Sequence, residues 1–162
     1  MIIYIKNKLM SFGGSSTVKD EQGKEILKVK GKLKLFSPTR KKRICDLQGN
    51  TLYMVRNKFW KFFTKTIYIY EQGQKVAQLK SKQTWGKKTF VIEGYNDDIV
   101  IQGRSYFDEG LSIIRNGEKI GSIKKNFTII RDSFILEAEE ADLPFLVAIV
   151  IALDNFADDF AN

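Results

Sequence analysis

A chain of 162 residues, 43% apolar and 28% charged, falls in the range of one globular domain and can bury well over half of its unfolded surface. It has no Pro-rich or Ser-rich linker tract; its solitary Cys45 excludes an internal disulfide, and the lack of histidine removes the commonest general base and zinc ligand. Net charge is +8, yet residues 137–162 hold seven acids and no base, which leaves residues 1–136 at +15 and favours an anionic partner for the basic body.

Taken in chain order, the first segment, MIIYIKNKLMSFGG, meets Lys6 and Lys8 after only a short apolar run. It lacks the uninterrupted apolar stretch of a secretory signal, and a cytoplasmic protein, at most peripheral to a membrane, is expected. DEQGKEI at Asp20 then introduces a pattern that recurs in DLQGNTL at Asp46, YEQGQKV at Tyr70 and RNGEKIG at Arg115, with GYNDDIV at Gly94 as a shifted version. Each is a polar turn built on glycine between stretches of strand-like alternation. The stretches are rich in β-branched and aromatic residues: ILKVKGKLKLF, TIYIYE, TFVIEGY, DIVIQGR, GLSIIRN, EKIGSIKK and FTIIRDSFILEAE. Successive hairpins with few prolines predict a closed antiparallel meander barrel that leaves no long free edge, with a sandwich as the alternative.

The final segment, DLPFLVAIVIALDNF, is the most apolar of the chain. As a helix, Leu143 to Leu153 is about 16 Å long at 1.5 Å per residue, whereas crossing ~30 Å of hydrocarbon takes about 20 residues. Being apolar on every side, it is predicted to be a central helix, residues 142–156, surrounded by protein. Asp142 is its expected N-cap, Pro144 fits the first turn, and Glu139 and Glu140 precede the positive end of the dipole. Asp154, Asp158 and Asp159 lie at the opposite, negative end, so a Lys or Arg from the barrel is expected beside them.

The run GEKIGSIKK (117–125), the strand DSFILE (132–137) and the apolar helix closing in ALD (152–154), in this order, resemble the C-terminal half of the LURP-one-related family. Phe134 stands where that family often has Tyr, and Asn126-Phe127 where it often has Trp. The family shares the tubby C-terminal-like fold with tubby proteins and phospholipid scramblases. The resemblance therefore implies one domain, residues 1–162, whose roughly twelve strands, within residues 1–141, close around a buried C-terminal helix. By fold analogy it also points towards phosphoinositide headgroups, which tubby proteins bind, and towards membranes, where scramblases act.

Motifs for chemistry are absent: no phosphate-binding glycine loop precedes a helix, and neither Asp97-Asp98 nor Asp154 with Asp158 has the spacing of a calcium loop. No catalytic residue, metal ligand or cofactor is expected, and turn, cap or salt-bridge roles suffice for these acids. The basic features carry the functional expectation instead. Lys28, Lys30, Lys32 and Lys34 alternate with apolar residues, which lines one strand face with ammonium groups at about 6.6 Å intervals. Arg40, Lys41, Lys42 and Arg43 follow in what reads as a connecting loop. NKFWKFFTK interleaves Lys58, Lys61 and Lys65 with aromatics, so Lys58, Trp60 and Lys61 are candidate membrane contacts. The plain alternative is that these lysines keep a barrel strand soluble and its aromatics pack in the wall. The expected function is a non-enzymatic module that engages anionic phospholipid on a membrane surface, with nucleic-acid binding through the same patch or a purely structural role as alternatives.

Overall fold

A computed structural model describes residues 1–6, 15–31, 41–58, 66–84, 87–103, 110–128 and 131–158. The expected barrel is observed. Twelve antiparallel strands run β1 (Ile2–Lys6), β2 (Ser15–Asp20), β3 (Glu25–Gly31), β4 (Lys41–Cys45), β5 (Thr51–Asn57), β6 (Thr66–Glu71), β7 (Gln74–Thr84), β8 (Lys87–Glu93), β9 (Ile99–Gly103), β10 (Leu111–Arg115), β11 (Glu118–Thr128) and β12 (Arg131–Ala138). Each strand pairs with its sequence neighbours, and β1 also pairs with β12, from Ile2 opposite Glu137 to Lys6 opposite Ser133, which closes the sheet and removes both edges.

The period of two read from the sequence sets the two faces of the wall. On β1, Ile3 and Ile5 are buried while Tyr4 between them is 39% exposed. The same alternation turns Leu27 and Val29 inward on β3 and leaves Lys28 and Lys30 outside. Glycine appears inside a strand where two backbones crowd: a Cβ on Gly121 of β11 would lie 2.6 Å from the Glu137 carbonyl of β12.

All the repeated glycine turns lie at one end of the barrel. Those at 20–24 and 46–50 share one geometry: the Gly23 and Gly49 amides donate to the Asp20 and Asp46 carbonyls, and each aspartate carboxylate accepts backbone N–H groups of its own turn. Gln72-Gly73 and Asn116-Gly117 instead have positive φ at both residues, the two-residue turn whose twist matches paired strands. Together with residues 94–98 and 139–142, these connections form what we call the turn rim.

Twelve strands enclose a lumen wider than side chains from the wall alone can fill. It is occupied by α1 (Leu143–Asp158), which enters at the turn rim through a short 3-10 turn at Glu140–Asp142 and packs chiefly against β5 and β6. Every residue from Phe145 to Phe156 is at most 3% exposed, so the helix is buried on all sides, as its sequence requires. It runs two residues beyond the expected end at 156. No helix among the described residues is long and apolar enough to cross a membrane.

Polar contacts pin both ends of the helix. At entry, the carboxylate of Asp142, the expected N-cap, receives Arg115 Nη1 at 2.6 Å, while Phe145 stacks on Tyr95 with 4.2 Å between ring centres. Tyr53 tilts against the same Phe145 and donates its hydroxyl to Glu71 at 2.9 Å. At exit, Lys42 Nζ lies 2.8 Å from Asp154 Oδ2, and the Asn155 side-chain amide donates to Asn57 Oδ1 at 3.0 Å. Lys42 is thus the barrel cation that the acids at the helix C-terminus called for.

Candidate anion-binding face

Strands β3 to β6 carry the candidate site, because the stretch from residue 26 to 70 holds twelve Lys or Arg residues and a single acid, Asp46. Lys41, Lys42 and Arg43, expected in a loop, belong to strand β4 and therefore alternate. Lys41 and Arg43 face outward. Lys42 faces the lumen at 6% exposure and is engaged by Asp154, which removes it from the outer patch. The cause is register: Lys42 pairs with Val55 of β5 and with Gly31 of β3, both inward positions. Gly31 adds no side chain at that level.

On the outside the same register brings cations face to face. Lys30 of β3 stands directly opposite Arg43 of β4, and Lys41 opposite Arg56 of β5. Residues so paired have Cβ atoms about 5 Å apart, and like charges there are destabilising. Lys28 is less free than its neighbours, since its ammonium donates to the Leu47 carbonyl at 3.3 Å, and Lys30 reaches towards Gly49 in the same turn. Of the other residues expected at the site, Lys58 is exposed at the end of β5, where its amide donates to the Thr66 carbonyl. Lys32, Lys34, Arg40, Trp60 and Lys61 lie outside the described residues.

The register also reveals members that charge counting overlooked. The row from Lys30 and Arg43 continues through Met54 and Tyr70 to Lys75, and the row from Lys41 and Arg56 continues to Tyr68. Both tyrosines are half-buried, with ring centres 6.4 Å apart in an edge-to-face pair, and Lys75 Nζ sits 5.2 Å over the Tyr68 ring. Alternation in TIYIYE already places Tyr68 and Tyr70 on one face; their neighbours come only from pairing across strands. The outcome is an outer surface of cations flanked by two tyrosines and a methionine.

Away from this face several ionisable groups are engaged structurally. Asp97 accepts from the Asn116 amide and stands 3.5 Å from Arg115, so the Asp97-Asp98 pair ties two turns together. The Asp142 carboxylate beside Arg115 holds that guanidinium even more firmly charged than usual. Partial burial and the hydrogen bond to Glu71 push the Tyr53 hydroxyl well above the ordinary tyrosine range, and burial raises Tyr95. The Asn50 side chain lowers Asp46, and Lys80 lowers Glu93. Cys45, next to Ile44 on β4, is buried at 1% exposure. Among the described residues, no three His, Cys, Asp or Glu side chains converge where they could hold a metal ion.

Comparison with known proteins places the chain in one family. The profile of the LURP-one-related family matches residues 1–154. The uncharacterized protein YxjI of Bacillus subtilis (strain 168) is 30% identical over 154 residues, covering 94% of this chain and 91% of the relative. No solved structure gives a significant match. A barrel of hairpins with an apolar C-terminal helix, matched by that profile almost from end to end, makes this chain a member of the LURP-one-related family.

Proposed function

We propose that the protein is a non-enzymatic binding module that docks the outer face of β3 to β6 on anionic phospholipid headgroups at a membrane surface. The observation that carries the reading is the pair of like-charged juxtapositions, Lys30 opposite Arg43 and Lys41 opposite Arg56. Stability alone disfavours like charges so paired. An anionic surface turns that repulsion into attraction, at about 1 kcal/mol for each Lys or Arg close to the lipid. Tyr68, Tyr70 and Met54 give the face an apolar component suited to the headgroup boundary, where tyrosine rings are favoured.

Electrostatic attraction supplemented by aromatic insertion is the mechanism; no bond is made or broken. Cosedimentation of the pure protein with neutral and with anionic vesicles, with and without competing DNA, tests it. Binding to the anionic vesicles alone, reduced by salt and unaffected by DNA, is expected. Equal, negligible sedimentation with both vesicle types would remove the lipid reading, and complete displacement by DNA would favour the nucleic-acid alternative.

A further inference from the structure

The charges on the barrel are segregated along its axis as well as around its girth. Each of the six connections at the turn rim contains or adjoins an acid: Glu21, Asp46, Glu71, Asp98, Glu118 and Glu139. At the opposite rim the strand ends and their flanks carry Lys6, Lys41, Lys58, Lys82 and Lys87. Among the described side chains near that rim, the carboxylate of Asp154 is spent on Lys42 inside the lumen. A six-residue strand is about 20 Å long, and even tilted in a barrel wall it separates the rims by about two Debye lengths of ~8 Å at physiological salt. One rim can therefore sit in the potential of a charged surface while the other does not feel it.

We infer that the interaction surface extends from the β3 to β6 flank over the lysine-bearing rim, so that the barrel meets an anionic bilayer with this rim leading and its acidic turn rim held away in water. This rests on the lipid-surface reading above and adds an orientation to it. Attraction at one rim and repulsion at the other act in the same rotational sense. A protein that used its flank alone would lie flat, with both rims equally near the lipid.

Two introduced cysteines on the same sector of the wall separate these geometries. Gln48→Cys marks the turn rim beside β5 and Lys58→Cys marks the other end of β5, while Cys45 stays in place because its burial shields it from labelling. Unsubstituted protein that takes up no dye confirms that shielding. Each variant carries a fluorophore and is mixed with phosphatidylcholine vesicles containing phosphatidylserine and a headgroup spin-labelled lipid, with cosedimentation measured in parallel. Quenching several-fold stronger at position 58 than at 48, lost in high salt, is expected. Adding Glu118→Lys and Glu139→Lys should shrink that difference by drawing the turn rim to the surface. Vesicle binding with equal quenching, or stronger quenching at 48, overturns the orientation while leaving the lipid reading intact. Failure of the unsubstituted protein to cosediment overturns both.

Discussion

Lys42 and Arg43 are consecutive residues of β4 with opposite fates. Lys42 points into the lumen and meets Asp154, which is 112 residues away in sequence, whereas Arg43 is exposed on the outer face opposite Lys30. Burial explains the first arrangement: a charge out of water is tolerated only with a close partner, and both members of the pair are less than 10% exposed. Solvent makes the second tolerable, because water screens a cation pair that the interior would reject. The inner face of these strands is governed by what the helix needs and the outer face by what approaches from outside.

The comparison can be broken from the inside first. Ile149 is fully buried in the middle of α1, and Ile149→Asp would place a carboxylate among the apolar side chains of the core. A loss of at least about 4 kcal/mol is expected, comparable with the whole stability of many domains, and thermal melts should show no cooperative transition. Lys42→Met takes the ammonium away from the buried Asp154 carboxylate and should lower stability by about 3–5 kcal/mol, whereas Lys42→Met with Asp154→Leu should recover most of it in denaturant titrations. A double variant no better than the single would mean that the pair does not stand alone.

Smaller effects sharpen the same contrast. Tyr53→Phe removes the hydrogen bond to Glu71 and should reduce stability by about 1 kcal/mol near neutral pH. Because the folded protein holds the Tyr53 proton more tightly than the unfolded chain, that contribution is complete below the ordinary tyrosine value of 10.0 and fades as pH rises above it. Urea unfolding at increasing alkalinity should therefore show the two proteins converging. On the outside, Arg43→Thr relieves the repulsion with Lys30 and should leave the melting temperature unchanged or raise it by the equivalent of a few tenths of a kcal/mol. A marked loss would show that Arg43 serves the fold.

Much of the fold was legible because it rests on local patterns. The glycine turns fixed the hairpins, alternation separated the faces of the wall, and the length and all-round apolarity of Leu143 to Leu153 placed the helix inside. Even the need for a cation at the helix C-terminus followed from Asp154 and the dipole. Which cation met that need did not, because KKRIC offers a lysine at an inward position and only the distant Asp154 explains it. The outer site was partly legible for a similar reason. Local charge singled out Lys30 and Arg43, while Arg56, Tyr68 and Tyr70 joined them only through register, which a linear reading does not contain.

Titration of anionic vesicles with the unsubstituted protein, with Lys30→Ser plus Arg43→Ser, and with Lys42→Met plus Asp154→Leu tests the division between inside and outside most directly. At about 1 kcal/mol for each cation near the lipid, the outer pair should weaken binding about thirtyfold while the inner pair leaves it unchanged. An outer double variant that binds as tightly as the unsubstituted protein would contradict the account.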